Sequence, residues 1–302
     1  MIPFSPPRID QKVIDEVVDT LKSGWITTGP KTKEFERRLT AYCGNKATLA
    51  VNSNTVGLEV VLRWFGVQEG DEVIVPAYTY CATANVIVHC GAKPVMVDVN
   101  ADDFDVCLEK VREAITDKTK VIMPVDLGGM PCAYDELFEL VEAEDVKTLF
   151  QVKTEEQRKL GRILILSDSA HSIGAEYKGR KAGCLADVSV FSFHAVKNLT
   201  TAEGGAIMLN LPEPFDNEEV YRYLCTYTLH GQNKDALAKT KKGAWRYDVL
   251  VSGFKGNMTD IMASIGLVEL SRYEDDTLHY RKCIYDQYTD AFARYGWAEL
   301  PI

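Results

Sequence analysis

Short apolar segments recur along the chain and alternate with stretches long enough to form helices. Each segment is almost continuously apolar, which is typical of strands buried on both faces of a parallel sheet. The segments are residues 47–51, 72–75, 94–98, 120–125, 162–167, 188–193 and 205–209. Right-handed crossovers between them predict an α/β fold, in which a mostly parallel sheet forms the middle layer of an α/β/α domain.

Helices are predicted near both ends of the chain and in one charged stretch between two strands. Residues 10–22 carry apolar side chains at helical spacing: Val13, Val17, Val18 and Leu21. Further helices are predicted at residues 32–43, 258–270 and 275–295. The charged stretch 139–161 predicts a helical excursion on the surface, because such a run of charges is usually solvated.

The chain is predicted to divide into two domains. Residues 1–249 are expected to form the large domain, and residues 250–302 the start of a smaller α+β domain. Residues 298–302 resemble the lead-in to a strand. The small domain is therefore expected to be partial, as in a truncated chain.

Composition narrows the class of protein. The chain has 302 residues, of which 46% are hydrophobic and 26% charged, as in an ordinary globular protein. A formal charge of -10 disfavours a nucleic acid or an anionic membrane as partner. The scattered cysteines indicate free thiols in a reducing compartment, and the N-terminus lacks the pattern of a signal peptide, so a cytoplasmic protein is expected. The five histidines lack metal-ligand spacing with the cysteines, so no metal is expected.

Lys197 is the first candidate catalytic residue. It follows the apolar strand 188–193 in a loop that is otherwise poor in charge. A lysine in such a place can be desolvated enough to act as an amine nucleophile. Judged from its position alone, Lys197 could also be an ordinary lysine on the solvated surface.

Asp168 comes directly after the apolar strand 162–167. A carboxylate at the end of a strand can pair with a protonated pyridine nitrogen and so make that ring an electron sink. Capping of a following helix is an equally good interpretation of this residue.

Two polar or aromatic segments follow other strands. Residues 52–55 offer hydroxyls, backbone N–H groups and a helix N-terminus to a phosphate, although simple helix capping is the alternative. Tyr80 follows the strand 72–75, where its ring could stack on a flat ligand or pack in the core. Ligands of open α/β sheets bind beyond the carboxyl ends of the strands, so all these residues are expected to converge.

At these residues the sequence resembles the DegT/DnrJ/EryC1/StrS family of sugar aminotransferases, which use pyridoxal phosphate (PLP) and have the aspartate-aminotransferase fold. FSFHAVKNLTTAEGG (191–205) is similar to the family's Schiff-base segment, and DSAHSIGAEY (168–177) to the segment that binds the pyridine nitrogen. The resemblance implies PLP as cofactor, Lys197 as the lysine that binds it and Asp168 as the partner of the ring nitrogen.

The same resemblance implies roles for further residues. His171 is expected beside the ring, near its 3-hydroxyl group, and Tyr80 is expected to stack on the ring. The phosphate is expected to be bound by Ser53, Asn54, Thr55 and Ser192, and by Asn257 from the neighbouring subunit. A homodimer with shared active sites follows from that last expectation.

The resemblance also implies the reaction. Glutamate or glutamine is the expected amino donor, and a nucleotide-linked keto-sugar the acceptor, with C4 of a 4-keto-6-deoxysugar favoured. Thr28, His230 and Lys255 are expected to lie near the substrate. Two alternatives stay open: a truncated or degenerate relative that binds PLP without catalysis, and a PLP-dependent sugar dehydratase. The dehydratases carry histidine where this chain has Lys197, which favours transamination.

Overall fold

The computed structural model describes residues 5–234 and 246–298. All the predicted strands are confirmed as members of one seven-stranded sheet. Along the chain the strands are β1 (Ala47–Val51), β2 (Glu72–Pro76), β3 (Lys93–Val97), β4 (Thr119–Ile122), β5 (Leu164–Asp168), the hairpin strands β6 (Glu176–Tyr177) and β7 (Arg180–Lys181), β8 (Val188–Ser192) and β9 (Gly205–Leu209).

The large sheet has the order β1-β9-β8-β5-β4-β2-β3 and is mostly parallel. Strand β9 runs antiparallel to both of its neighbours, β1 and β8, whereas the other pairs are parallel. Every residue of β1, β2, β5, β8 and β9 is buried, so both faces of the sheet are covered. The mixed, mostly parallel α/β architecture is therefore as predicted.

The helices are α1 (Gln11–Ser23), α2 (Pro30–Cys43), α3 (Asn54–Trp64), α4 (Cys81–His89), α5 (Leu108–Ala114), α6 (Tyr134–Glu142), α7 (Glu144–Leu149), α8 (Glu155–Leu160), α9 (Asn217–Tyr227), α10 (Asp260–Ser271) and α11 (His279–Phe292). A 3₁₀ turn spans Leu127–Gly129, and a π-helical turn spans Tyr273–Leu278. In the described ranges, no helix is both long and apolar enough to cross a membrane.

Two details differ from the sequence-based expectations. The apolar residues of α1 do not all lie on its buried face: Val13 is buried, but Val18 and Leu21 are exposed. The charged stretch 139–161 is helical as expected, comprising the end of α6 together with α7 and α8, but it does not lie wholly on the surface. It is also anchored to the core, since the Gln157 side chain is buried and donates a hydrogen bond to the Phe65 carbonyl at 3.0 Å.

Helix α10 is joined to α2 by a buried carboxylate. Helix α2 starts after Gly29, which has no side chain to cap it. Asp260 supplies the cap: it accepts hydrogen bonds from the backbone N–H groups of Gly29, Lys31 and Thr32 at 2.8, 3.1 and 2.9 Å, and from the Thr32 hydroxyl at 2.6 Å. The division into two domains at residues 249/250 stays a prediction. The hydrogen bonds of Asp260 join residues that lie on either side of that division.

Asp260→Ala is therefore expected to lower the free energy of unfolding by about 2–3 kcal/mol, because it leaves several buried N–H groups without an acceptor. Chemical denaturation measures the loss. Asp216→Ala is the matched control: Asp216 caps α9 through N–H groups at the exposed surface, and its loss is expected to cost about 1 kcal/mol. Equal losses in the two variants would contradict the role given to Asp260.

Candidate active site

A cavity of about 350 Å³ opens at the carboxyl edge of the sheet. Most of the predicted cofactor residues line it: Ser53, Asn54, Thr55, Tyr80, Asp168, His171, Ser192 and Lys197. They follow or end strands β1, β2, β5 and β8, which all point the same way. The convergence expected from the strand ends is thus present in the fold.

Lys197 lies half-buried in this cavity, next to His171. The Lys197 Nζ atom is 2.7 Å from His171 Nε2. Burial lowers the pKa of Lys197, although the negative charge of Asp168 opposes that shift. Burial also lowers the pKa of His171, and the nearby Lys197 charge lowers it further. A lowered pKa increases the fraction of Lys197 that is present as the neutral, nucleophilic amine at a given pH.

Asp168 is the buried acid of the cavity. Its Oδ2 accepts a hydrogen bond from the Thr83 hydroxyl at 2.8 Å, and its Oδ1 accepts one from Asn54 Nδ2 at 3.1 Å. Burial raises its pKa, and these hydrogen bonds oppose the rise. Within the part of the chain that the structure describes, no lysine or arginine forms an ion pair with it. The helix-capping alternative is wrong, because a turn rather than a helix follows residue 168.

The turn before α3 combines capping with access to the cavity. Ser53 caps α3, since its hydroxyl oxygen accepts a hydrogen bond from the Val56 N–H at 3.2 Å. The Asn54 side chain is turned away toward Asp168 and the Val190 carbonyl, so its free contribution to a phosphate is its backbone N–H. Gly205 lies against this turn: a Cβ there would come within 2.6 Å of the Asn54 nitrogen. The glycine keeps the helix N-terminus open to a ligand.

Tyr80 stands at the rim of the cavity and is 76% exposed. The alternative of core packing is therefore wrong for this residue. A flat aromatic side chain with this exposure is available to stack on a ring bound in the cavity.

The remaining predicted residues lie together elsewhere. Thr28, His230, Lys255 and Asn257 line a second cavity of about 250 Å³. Asn257 donates through Nδ2 to the Thr28 hydroxyl oxygen at 2.5 Å, and that hydroxyl donates to the Met258 carbonyl. None of these four residues lines the cavity of Lys197 in the same chain.

Sequence reasoning missed Thr83, which is buried behind the first cavity, and several residues that line the cavity. Thr83 holds Asp168 and accepts or donates a further hydrogen bond with Thr79 at 2.8 Å. Val125 and Leu127 form part of the wall. Thr83 lies three residues beyond Tyr80, at the start of α4, and this position is only a weak indication that it belongs to the site. Its hydrogen bond to Asp168, 85 positions further along the chain, could not be predicted from the sequence.

The cavity fits PLP. Asp168 is a buried carboxylate suited to a protonated ring nitrogen, and Lys197 is an amine suited to an aldehyde carbon. The open N-terminus of α3, with the Ser53 and Ser192 hydroxyls beside it, suits a phosphate. The mixed sheet, with a cavity of this kind at its carboxyl edge, is the fold of PLP-dependent transferases, and solved structures of this fold include PLP and pyridoxamine-phosphate (PMP) forms.

Comparison with known proteins gives the family. The model of the DegT/DnrJ/EryC1/StrS aminotransferase family matches residues 7–152 and 154–301, so the chain belongs to this family. The PMP form of Spr1654 from Streptococcus pneumoniae, assigned as a sugar aminotransferase, superposes with a TM-score of 0.93 and 53% identity, over 97% of this chain and 73% of that one.

Two curated relatives extend the comparison. The spore coat polysaccharide biosynthesis protein SpsC of Bacillus subtilis is 36% identical over 96% of this chain and 69% of its own length. The uncharacterized protein MJ1066 of Methanocaldococcus jannaschii is 40% identical over 90% of this chain and 65% of its own length. The chain thus spans about two thirds of the length of these relatives.

Proposed function

We propose that this protein is a PLP-dependent aminotransferase that moves an amino group from glutamate or glutamine to a nucleotide-linked keto-sugar, at C4 of a 4-keto-6-deoxysugar. The observation that carries the proposal is that the Lys197 amine and the buried Asp168 carboxyl group line the same cavity. The family, together with the role of SpsC in spore coat polysaccharide biosynthesis, supports a sugar as acceptor.

The residues of the site have two roles, binding the cofactor and holding or moving protons. Bound PLP supplies an electron sink for the bonds at the donor's α-carbon. Lys197 holds the cofactor at rest and, once released, moves the proton at the α-carbon as general base and acid. Asp168 keeps the proton on the ring nitrogen. Ser53, Thr55 and Ser192 bind the phosphate with the backbone N–H of Asn54, Tyr80 stacks on the ring, and His171 lies beside it.

We propose that the residues of the second cavity complete the first cavity of the neighbouring subunit. Asn257 would bind the cofactor phosphate of that subunit, with Thr28, His230 and Lys255 near its substrate, in a homodimer with shared sites. Complementation tests this: a mixture of Lys197→Ala and Asn257→Ala chains, refolded together, is expected to form some hybrid dimers with one intact site and regain activity. Activity no greater than that of either variant alone would contradict shared sites.

The proposed reaction is tested by mass spectrometry of the products. Purified protein with PLP and glutamate is expected to convert a nucleotide-linked 4-keto-6-deoxysugar to the amino-sugar and release 2-oxoglutarate. Loss of a hydroxyl group from the sugar without gain of nitrogen would favour the dehydratase. Bound PLP that reacts with no amino donor would favour the non-catalytic relative. We place the reaction in the cytoplasm, in line with the composition of the chain.

The pH dependence of cofactor attachment follows from the burial of Lys197. Only the neutral amine attacks PLP, so the rate of attachment is expected to rise with pH and to level off above the pKa of Lys197. Because burial lowers that pKa, the plateau is expected below the value for an exposed lysine, about 10.4. Stopped-flow measurement of the visible band gives the profile. A rate that still rises at the pKa of a free lysine would contradict the low pKa.

A further inference from the structure

A buried acid lies behind the wall of the Lys197 cavity. Asp126 is 1% exposed and stands between Val125 and Leu127, which both line the cavity. Its carboxylate is directed away from the cavity, toward the loop that follows β5. Within that loop, Ser169 and Ser172 flank the cavity residues Ala170 and His171, and both serine hydroxyls contact Asp126. The acid therefore connects two walls of the candidate active site.

The contacts of Asp126 close into a ring of hydrogen bonds. The Tyr134 hydroxyl is 2.7 Å from Asp126 Oδ1 and 2.5 Å from Ser167 Oγ. Ser167 Oγ is 2.6 Å from Ser169 Oγ, which lies 3.2 Å from Asp126 Oδ2. All four residues are buried. Two donors outside the ring complete the shell: Ser172 Oγ at 2.5 Å from Oδ2, and the Cys132 N–H at 3.2 Å from Oδ1.

The number of protons that the ring of hydrogen bonds requires determines whether Asp126 is ionised or neutral. The ring has four O···O contacts, and each needs one proton. Tyr134, Ser167 and Ser169 each carry a single hydroxyl proton, which satisfies three contacts. An ionised Asp126 would leave two oxygen lone pairs facing each other at one contact. A protonated Asp126 supplies the missing proton, and the ring then runs head to tail from the acid through Ser169, Ser167 and Tyr134 back to the acid.

We infer that Asp126 is a neutral carboxylic acid whose proton closes this ring, and that it is a positioning residue for the loop that carries Asp168 and His171. The titratable groups packed around it are Tyr134, Cys132 and, beyond them, Asp105 and Asp168. Among the described residues, no lysine or arginine contacts it to stabilise a negative charge. Burial raises the pKa of Asp126, which agrees with the geometry, although the hydroxyl donors oppose that rise.

The neutral state has a consequence for the cavity. The Asp126 N–H donates to the Asp168 carbonyl at 3.2 Å, so the two acids stand on adjacent strand ends. A neutral Asp126 exerts no charge repulsion on Asp168, the carboxyl group proposed to bind the ring nitrogen. The benefit of a neutral Asp126 for transamination rests on the proposed function. The protonation of Asp126 itself can be tested independently of that function.

Asp126→Asn is the matched variant because it imitates the neutral acid. The amide oxygen can accept from Tyr134 and Cys132, and the NH₂ group can donate to Ser169 and Ser172, whose own hydroxyl can turn to the Ser169 carbonyl at 3.5 Å. In wild type the folded acid holds a proton that the unfolded chain releases above about pH 3.9. The unfolding equilibrium constant of wild type, relative to Asp126→Asn, is therefore expected to rise tenfold per pH unit between that pH and the folded-state pKa.

Denaturant unfolding of the two proteins across this pH range measures the ratio, and infrared difference spectra give a second readout. The difference spectrum of wild type minus Asp126→Asn is expected to show a protonated carboxyl band at neutral pH. Asp105→Asn is the control: Asp105 accepts backbone N–H bonds and is partly exposed, so this variant should keep the band. A ratio independent of pH together with no such band in wild type would overturn the inference.

The positioning role has its own readout, the dissociation constant of PLP. Asp126→Ala breaks the ring and is expected to raise that constant at least about tenfold, whereas Asp126→Asn restores it toward the wild-type value. Equal weakening in both variants would contradict positioning by a neutral acid. If wild type binds no PLP at all, the proposed function fails, while the infrared and unfolding data still decide the state of Asp126.

Discussion

Lys197→Ala is expected to abolish transamination, with a loss on the order of 10⁴-fold or more, because the variant lacks both the amine that binds the cofactor and the base that moves the proton. Some PLP should still bind, since Asp168 and the phosphate-binding turn are intact. The visible band of lysine-bound PLP is expected to be absent. Single-turnover conversion of the cofactor by glutamate, followed by absorbance, measures both effects.

The control for this variant is Lys110→Ala. Lys110 is exposed on α5, pairs with its neighbour Glu113 and does not line the cavity, so its loss should leave the visible band and the rate as in wild type. A Lys197→Ala protein that keeps the band, or that turns over at the wild-type rate, would show that another lysine carries the chemistry.

Asp168→Asn is expected to cause the second largest loss, on the order of 10²–10³-fold in the rate of proton transfer. The asparagine has nearly the same shape and can keep a hydrogen bond to Thr83, but it lacks the charge that holds a proton on the ring nitrogen. The rate constant of the glutamate half-reaction is the measurement, made at saturating PLP so that weaker cofactor binding does not contribute.

Asp187→Asn is the matched control for Asp168→Asn. Asp187 is equally buried, but its carboxylate pairs with Arg162 at 2.7 Å and does not line the cavity. Loss of that pair should lower thermal stability and leave the rate of the folded protein unchanged. Similar rate losses in both variants would mean that Asp168 acts only through stability.

The sequence was sufficient to predict the sheet and most of the cavity. The strands are buried on both faces, so their sequences are continuously apolar and easily recognised. Once the strands were placed, the rule that ligands bind at their carboxyl ends brought Ser53, Tyr80, Asp168 and Lys197 to one edge. Those are the predictions that depend on local pattern and on a general property of parallel sheets.

The contacts that hold the cavity together could not be predicted in the same way. Asn54 was expected at a phosphate, but its side chain bonds to Asp168, 114 positions further along. Asp260 caps a helix that starts 230 residues earlier, and the ring at Asp126 draws on three separate segments. Each depends on distances between elements, for which hydrophobic periodicity contains no information.

The most direct test of the central claim is to find which residue binds PLP. Borohydride reduction of the protein with bound PLP makes the bond between lysine and cofactor permanent, and trypsin then leaves the modified lysine uncut. Mass spectrometry is expected to find the cofactor on a peptide that spans residues 182–222, with Lys197 as the modified site. Modification of a different lysine, or no modified peptide despite full coverage of Lys197, would contradict the function proposed for this chain.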